Sequence, residues 1–223
     1  MTNLQFRYQT IEFNTMDIHI RTLKDNQQYD MSYDKKDIEG LSSANWSLFG
    51  VLWPSSQVLA NIMQDYNIEG IRILEVGCGV GLSSLILNHR DANITATDFN
   101  PAAKIFLDEN TRINSDERIP FECANWKNSD DDLGIFDLII ASDVLYEQFH
   151  LEDLANFLEE HTKENSEVII VDPGRGNHAK FTKMMLPLGF SHNQVKPLNT
   201  QEYLEEAFKG VVITYTRKTI LNK

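Results

Sequence analysis

The chain has 223 residues, of which 42% are hydrophobic, so it is long enough to form one domain with its own core. Its formal net charge of −13 disfavours binding to the phosphate backbone of nucleic acids, and it is compatible with cationic substrates or with solubility alone. We expect no membrane association, because no run of 18 apolar residues is present and the N-terminus lacks the pattern of a signal peptide.

Cysteine and histidine usage points away from metal chemistry. The two cysteines, Cys78 and Cys123, have neither a metal-binding nor a redox spacing, and the six histidines are scattered. We therefore expect no metal site. Sparse use of cysteine is typical of a protein in the reducing cytoplasm, which is the location we expect.

The N-terminal part of the chain differs in pattern from the rest. Partial alternation of apolar residues at 11–23 predicts one or two strands, arranged as a hairpin. Polar and charged residues at 24–40 predict a surface connection. We therefore expect residues 1–45 to form an extension in front of a single domain at 46–223.

A helix is predicted at the start of that domain. Pro54 suits a first helical turn, and the apolar spacing after it predicts a helix that ends at about Tyr66. Trp53 immediately precedes this helix, and a lone tryptophan is most often a core residue.

Residues 71–87, with the sequence IRILEVGCGVGLSSLIL, predict a buried strand, a tight turn and the start of a helix. Gly77, Gly79 and Gly81 allow the turn to be tight and to approach a ligand closely, because they lack a Cβ. The turn leads into a helix N-terminus, where N–H groups favour an anion. This stretch predicts a nucleotide-cofactor site.

Strands and helices alternate along the rest of the chain, which predicts a parallel α/β sheet covered by helices. The further predicted strands are residues 93–98, 119–123, 136–141, 167–171, 191–195 and 211–217. The further predicted helices are residues 102–113, 151–161, 179–188 and 201–208. Ligands of such sheets bind beyond the carboxyl ends of the strands. Five residues directly follow predicted strands and are expected to meet there: Gly77, Asp98, Asn125, Asp143 and Asp172.

The glycine spacing separates two cofactors. A dinucleotide turn needs a glycine where Leu82 stands, and Glu75 at the end of the strand would repel a pyrophosphate. Glu75 is instead suited to a ligand ammonium, as in the amino-acid end of S-adenosylmethionine. Asp98 ends the next strand, where an acidic residue accepts hydrogen bonds from ribose hydroxyls. Nicotinamide enzymes share that last feature, so it does not discriminate.

With these residues in place, the chain resembles the class I, seven-strand S-adenosylmethionine-dependent methyltransferases from about Phe49 onward. It is most similar to the branch that contains many protein-lysine methyltransferases, which carries Trp-Pro before the glycine turn and Asp-x-x-Tyr after the fourth strand. Here these are Trp53-Pro54 and Asp143 to Tyr146. The Asp-Pro-Gly-Arg run that ends at Arg175 resembles the subgroup of electron-transfer-flavoprotein lysine methyltransferases and proteins labelled nicotinamide N-methyltransferase-like.

The resemblance implies a Rossmann-like sheet of seven mostly parallel strands with a final antiparallel strand, helices on both faces, and the N-terminal β-hairpin as an extension. It implies S-adenosyl-L-methionine as cofactor and S-adenosyl-L-homocysteine as product. The cofactor contacts that it implies are Trp53, Glu75, Gly77, Cys78, Gly79, Gly81, Asp98, Phe99, Asn125, Trp126 and Ser142.

The resemblance also implies residues for the methyl acceptor. Asp143 and Tyr146 are expected as the catalytic residues that grip and orient the acceptor nitrogen. From the sequence alone, the alternative interpretation is that Asp143 only caps the following turn and that Tyr146 only packs. Asp172 and Arg175 are expected to contact the substrate, although an Arg at such a turn also serves to pair with a surface acid.

The expected function is S-adenosylmethionine-dependent N-methylation, with a lysine side chain of a protein as the acceptor. Three alternatives stay open at this point. The same pocket residues suit a small amine such as nicotinamide, and a non-catalytic cofactor-binding protein would keep the glycine turn. A nicotinamide-dependent oxidoreductase is disfavoured by Glu75 and Leu82.

Overall fold

The computed structural model describes residues 4–24, 49–127 and 132–218. The predicted surface connection at 24–40 lies outside the described residues, apart from its first residue. Within the described ranges a seven-stranded sheet forms the centre of the molecule, and a two-stranded hairpin packs beside it.

The central sheet has the strand order β5-β4-β3-β6-β7-β9-β8. Its strands are β3 (Arg72–Val76), β4 (Asn93–Asp98), β5 (Phe121–Cys123), β6 (Phe136–Ser142), β7 (Thr162–Asp172), β8 (Ser191–Val195) and β9 (Val211–Arg217). β9 pairs antiparallel with both β7 and β8, whereas the pairs among β3 to β7 are parallel. The predicted mostly parallel sheet with a final antiparallel strand is confirmed.

In the part of the chain that the structure describes, five α-helices cover the two faces of this sheet. They are α1 (Pro54–Met63), α2 (Leu82–His89), α3 (Ala102–Ile113), α4 (Leu151–His161) and α5 (His178–Met185). Apolar residues of α1, α2 and α3 join one buried cluster, and those of α4 and α5 join a second. Successive residues of β3 such as Ile73 and Leu74 fall into different clusters, because neighbouring side chains of a strand point to opposite faces.

The N-terminal strands β1 (Phe6–Glu12) and β2 (Asp17–Leu23) form the predicted antiparallel hairpin. Ile18 and Ile20 of β2 are fully buried in the cluster shared by α1, α2 and α3. The hairpin is tied to α3 by Asn110, whose side chain bonds both the N–H and the C=O of Arg21 at 2.7 and 3.3 Å. The extension is therefore packed into the core of the following domain.

Several predicted boundaries were wrong, each for a local reason. Helix α1 ends at Met63 rather than Tyr66, because the Arg90 guanidinium donates hydrogen bonds to the carbonyl oxygens of both residues, at 2.5 and 2.8 Å. The predicted helix at 201–208 is reduced to one short 3-10 turn, Thr200–Glu202. There the Thr200 hydroxyl accepts the N–H of Phe208 at 2.8 Å and closes the segment into a loop.

Strand lengths differ as well. β5 begins at Phe121 rather than at residue 119, and β7 begins at Thr162 rather than at 167. The first residues of β7 are mostly polar and partly exposed, so apolar patterning does not reveal them. Among the residues that the structure describes, none of the helices is both long and apolar enough to cross a membrane.

Candidate active site

A cavity of about 370 Å³ opens where the carboxyl ends of β3, β4 and β6 meet. Parallel strands gather their carboxyl ends at one sheet edge, and ligands of this architecture bind there. Most of the predicted site residues line this cavity, and the exceptions are Glu75, Cys78, Gly81, Asp172 and Arg175.

The glycine turn forms the floor of the cavity. Gly77 and Gly79 line it, with φ angles of +66° and +56° that L side chains rarely adopt. A Cβ on Gly79 would meet no protein atom within 4 Å, so that space is open for a ligand. Gly81 lies behind the wall at the start of α2, where a Cβ would come within 2.4 Å of Leu107 Cδ1. The glycines thus serve two purposes, access for a ligand and close helix packing.

Most N–H groups of this turn already have protein acceptors. Cys78 donates to the Thr97 carbonyl at 2.9 Å, and Gly81 donates to the Cys78 carbonyl at 2.8 Å. The Cys78 thiol is buried, and that burial raises its pKa. The predicted cofactor contact at Cys78 is therefore a backbone position behind the cavity wall, with an unreactive thiol.

Asp98 is held rigidly at the cavity wall. Its Oδ2 accepts the Gly79 N–H at 2.8 Å, and its Oδ1 accepts the Asn100 N–H at 2.8 Å. Desolvation by burial raises the pKa of the Asp98 carboxyl, against the lowering effect of those two hydrogen bonds. The carboxylate therefore joins β4 to the glycine turn and still faces the cavity, which Phe99 also lines.

Glu75 is not part of the cavity wall. Its carboxylate is 2% exposed and accepts both the N–H and the hydroxyl of Ser84 in α2, the N–H at 2.9 Å. Burial raises the pKa of Glu75 to about 7. The structure therefore gives Glu75 a role in joining β3 to α2 directly beneath the glycine turn, one layer away from the predicted contact with a ligand ammonium.

Aromatic residues close the far end of the cavity. Asn125 and Trp126 line it as predicted, and so does His150, which sequence reasoning missed. The His150 ring meets Trp126 edge-on at 6.3 Å between ring centroids. His150 lies in a short 3-10 turn before α4, and no local pattern marks it as a site residue. Phe49, also missed, lines the same cavity.

The Asp-x-x-Tyr residues Asp143 and Tyr146 line the cavity, as does Ser142. Asp143 and Trp53 also line a neighbouring surface depression, so these two residues mark the mouth of the cavity. Asp143 has φ +56°, and its N–H donates to the Val171 carbonyl at 2.9 Å. Burial, with smaller contributions from nearby acidic residues, raises the pKa of Tyr146 to about 12. The tyrosine therefore presents a neutral hydroxyl at physiological pH.

Arg175 reaches this mouth from the turn after β7. Its Nε lies 2.5 Å from Asp143 Oδ1 and its Nη2 lies 2.7 Å from Oδ2, which is the bidentate geometry of a strong arginine–carboxylate pair. Asp172 precedes the same turn and is fully buried. Its Oδ2 accepts the Gly174 N–H at 3.1 Å, so the structure gives Asp172 a role in shaping the turn.

Several solved structures with a similar fold are methyltransferases. A TehB-like methyltransferase from Corynebacterium glutamicum has a TM-score of 0.57 and 15% identity, over 76% of this chain and 90% of that one. A T. thermophilus 16S rRNA methyltransferase, solved with AdoMet and guanosine, has a TM-score of 0.64 and 14% identity, over 96% of this chain and 51% of that one. The chain therefore shares the fold of these methyltransferases.

A model of the lysine methyltransferase family matches residues 33–186, more than half of the chain. The chain therefore belongs to the lysine methyltransferase family. Similar proteins include the calmodulin-lysine N-methyltransferase of Arabidopsis thaliana, 28% identical over 74% of this chain and 60% of that protein. The protein N-lysine methyltransferase METTL21A of Xenopus tropicalis is 28% identical over 49% of this chain and 55% of that protein.

A further relative differs in its acceptor. The histidine protein methyltransferase 1 homolog of Dictyostelium discoideum is 29% identical over 62% of this chain and 46% of that protein. The chain thus spans about half the length of the relatives that it matches.

The residues present fit S-adenosylmethionine, the cofactor of this family and fold. The open space above Gly79 admits a ligand against the backbone, as a Cβ would not. The Asp98 carboxylate faces the same space as an acceptor for hydroxyl groups, and Trp126 offers an aromatic surface. Asp98 and Trp126 lie at the positions expected from the sequence.

Proposed function

We propose that the chain transfers a methyl group from S-adenosylmethionine to a lysine side chain of a protein. The observation that carries the proposal is that Asp143 and Tyr146 line the same cavity as Gly79 and Asp98. A single cavity therefore has a cofactor end and an acceptor end, as a transfer between two bound partners requires.

In this proposal the cofactor is bound by the glycine turn, Asp98, Phe99, Asn125 and Trp126. Asp98 suits the ribose hydroxyls, because both of its oxygens are already fixed by backbone N–H groups and retain free lone pairs. Glu75 and Ser84 hold the turn from beneath. When bound, the cofactor supplies an electrophilic methyl group and a sulfonium charge that disfavours a neighbouring ammonium.

Acceptor binding falls to Asp143 and Tyr146. A free lysine has a pKa of about 10.4, so its deprotonation at pH 7 costs about 4.6 kcal/mol. Correct alignment of two reactants contributes up to about 7–11 kcal/mol, so a dedicated strong base is not needed. The Asp143 carboxylate and the Tyr146 hydroxyl hold the amine nitrogen in line with the methyl group, and the proton leaves to water.

A protein substrate is favoured over a small amine by the surroundings of the mouth. Asp143 and Trp53 line both the cavity and a second, larger depression of about 930 Å³ on the surface beside it. The acceptor end therefore opens onto a wide surface, whereas a small-molecule site buries most of its ligand. The names of the relatives point to proteins as acceptors too.

The expected setting of the reaction is the cytoplasm. Cys78 and Cys123 are both free thiols, which a reducing compartment preserves. The acidic net charge of −13 also supports a protein partner rather than a nucleic acid or an anionic membrane.

Calorimetry tests the cofactor half of the proposal. The protein is titrated with S-adenosylhomocysteine and, in parallel, with NAD. We expect binding of S-adenosylhomocysteine that weakens about 10- to 100-fold in Asp98→Asn, since a charge-assisted hydrogen bond contributes about 1.5–3 kcal/mol. The matched control is Asp108→Asn, a carboxylate that is paired with Arg118 and does not line the cavity. Binding of NAD without binding of S-adenosylhomocysteine would contradict the proposal.

Labelling tests the acceptor half. The protein is incubated with methyl-labelled S-adenosylmethionine and a cell lysate, and macromolecules are then separated from small molecules. We expect label in the protein fraction. Label confined to small molecules would replace the protein substrate by a small amine.

A further inference from the structure

The surface depression beside the acceptor mouth has a distinctive charge. It lies between the hairpin, the start of α1, the Gly174–Arg175 turn and residues 203–209. We call it the acceptor groove. Of the charged described residues that line it, four are basic and three are acidic, namely Arg7, Lys24, Arg175, Lys209, Asp143, Glu205 and Glu206. The whole chain has 20 basic and 33 acidic residues, so basic residues outnumber acidic ones in this groove although they do not in the chain as a whole.

Asp143 is the one acidic residue that the groove shares with the cavity, and Arg175 occupies both of its oxygens. A cationic lysine that reaches the mouth meets a carboxylate that is already paired. A carboxylate has about four acceptor sites, so the ammonium can bind beside Arg175, but two cations then compete for the single charge of Asp143. An arginine left without a partner in a partly buried position is unfavourable, so a replacement anion is needed.

The turn that carries Arg175 is anchored at both ends and leaves open space beside the arginine. Gly174 and Gly176 flank the arginine with φ angles of +100° and +86°, and a Cβ on either would meet no atom within 4 Å. The two ends of the turn are fixed by buried side chains. Asp172 accepts the Gly174 N–H, and Asn177 donates to the Leu145 carbonyl at 2.8 Å. The Arg175 side chain, which is 35% exposed, extends from this anchored turn, so a change of rotamer is enough to move its guanidinium.

We propose that the acceptor groove binds an acidic segment of the protein substrate, and that Arg175 transfers its ion pair from Asp143 to a carboxylate of that segment as the target lysine enters. The proposal rests on the proposed function, since it assumes a lysine acceptor at Asp143. It names the substrate class as lysines with an Asp or Glu within a few residues. Arg7, Lys24 and Lys209 add favourable charge along the same groove.

The transfer of the Arg175 ion pair also explains how a protein of negative net charge binds an acidic segment. Charged groups across an interface act chiefly through complementarity, which selects partners and fixes register. The net charge of the chain repels acidic segments in general, so the groove is the place where binding is selective. A substrate lysine with basic neighbours offers no carboxylate with which Arg175 could form an ion pair.

The test uses pairs of short peptides that carry one lysine flanked by either Glu or Gln and no other charge. Initial rates of label transfer from S-adenosylmethionine are measured with the full chain. We expect the Glu peptide to react about fivefold faster, the upper range for an exposed ion pair. In Arg175→Met the ratio falls to about one. Because both peptides meet the same protein sample, a partial loss of folding leaves the ratio unchanged.

The matched control is Arg118→Met, which removes another arginine that is paired with a carboxylate at a site remote from the groove. It keeps the wild-type ratio. Equal rates for the two peptides with the wild type, or an unchanged preference in Arg175→Met, would overturn the proposal while methylation itself still supports the proposed function.

A binding measurement decides the case in which neither peptide is methylated. Peptide affinities are then measured by calorimetry with S-adenosylhomocysteine present. The proposal predicts the same preference for Glu, lost in Arg175→Met. Equal affinities, or no binding of either peptide, would contradict it. Failure of the proposed function would appear separately, as absence of label from every protein of a lysate.

Discussion

Arg175 holds Asp143 through two hydrogen bonds, at 2.5 and 2.7 Å, although the two residues lie in different turns after different strands. The pair stands at the point where the cofactor cavity meets the acceptor groove. The pair joins Asp143, which is expected to bind the acceptor nitrogen, to Arg175, which is expected to contact the substrate. Its behaviour on substrate binding is the main mechanistic question for this protein.

Replacement of Asp143 by Asn separates acceptor binding from cofactor binding. Asn tolerates the left-handed backbone at this position, so we expect the Asp143→Asn variant to fold. The change removes the charge that binds the acceptor. Label transfer to protein should therefore fall about 10-fold or more, which corresponds to the free energy of one charge-assisted hydrogen bond.

The affinity of that variant for S-adenosylhomocysteine should stay at the wild-type value when measured by calorimetry. Asp108→Asn, which loses a similar arginine pair on the surface, controls for loss of charge. Undiminished transfer by Asp143→Asn would remove Asp143 from the active site.

Gly79 and Gly70 offer a matched pair for testing the cradle of the cofactor. Both have positive φ angles, +56° and +68°, and a Cβ on either would meet no protein atom within 4 Å. Each change to Ala should therefore cost a similar 1–2 kcal/mol or so of stability through the left-handed backbone. Only Gly79 lines the cavity.

We accordingly expect Gly79→Ala to lose S-adenosylhomocysteine binding and Gly70→Ala to keep it. Chemical denaturation gives the stabilities, and calorimetry gives the affinities. Equal affinities for the two variants would mean that the cofactor does not lie against the glycine turn.

Much of the fold was predictable from the sequence because strand and helix patterns repeat with few ambiguities. The apolar runs of β3 and β6 are buried on both faces, and such runs are easily recognised. The start of β1 was missed because Phe6 and Tyr8 face solvent and give no pattern of burial. The helix predicted at 201–208 failed because one hydroxyl, that of Thr200, closes a loop instead.

Positions in the site were predictable, whereas contacts between side chains were not. Gly77, Asp98, Asn125 and Asp143 lie at the cavity because strand ends converge on one edge of a parallel sheet. The pairing of Asp143 with Arg175 depends on the exact direction of two side chains that are distant in sequence. The same holds for Glu75, whose position at the end of β3 did not reveal that its carboxylate points to Ser84.

The buried Glu75 predicts a pH dependence of stability. Its pKa rises from 4.5 in the unfolded chain to about 7 in the folded protein. Between these values the folded state binds more protons than the unfolded state, so the free energy of unfolding falls as the pH rises from about 5 to 7. The stabilising effect is fully present below pH 4.5 and lost above pH 7.

The size of this effect is about 3 kcal/mol, from about 1.36 kcal/mol per pKa unit. Glu75→Gln has no proton to lose, and its amide oxygen still accepts the Ser84 N–H. Urea denaturation of both proteins at pH 5 and pH 8 should show a smaller decrease in Glu75→Gln. Equal decreases would assign the pH dependence to other groups.

Asn110 links the N-terminal hairpin to the cofactor turn. Its amide bonds Arg21 in β2 and also donates to the Val80 carbonyl at 3.0 Å, inside the glycine turn. Asn114, one helical turn further along α3, bonds His19 of β2 and does not reach the glycine turn. Both changes to Leu should destabilise the protein, since buried or bridging partners are left unpaired.

Only Asn110→Leu should also weaken the binding of S-adenosylhomocysteine, because only Asn110 supports Val80. Thermal unfolding and calorimetry on the two variants measure the two effects. A loss of affinity that is the same in both would show that the hairpin as a whole supports the turn, rather than this one hydrogen bond.

The most direct test of the account is to identify the atom that receives the methyl group. The protein is incubated with methyl-labelled S-adenosylmethionine and a cell lysate, and the labelled proteins are digested and sequenced by mass spectrometry. We expect label on lysine side chains, and we expect it to be lost in the Asp143→Asn variant. Label on histidine or in the small-molecule fraction alone, with lysines unmodified, would contradict it.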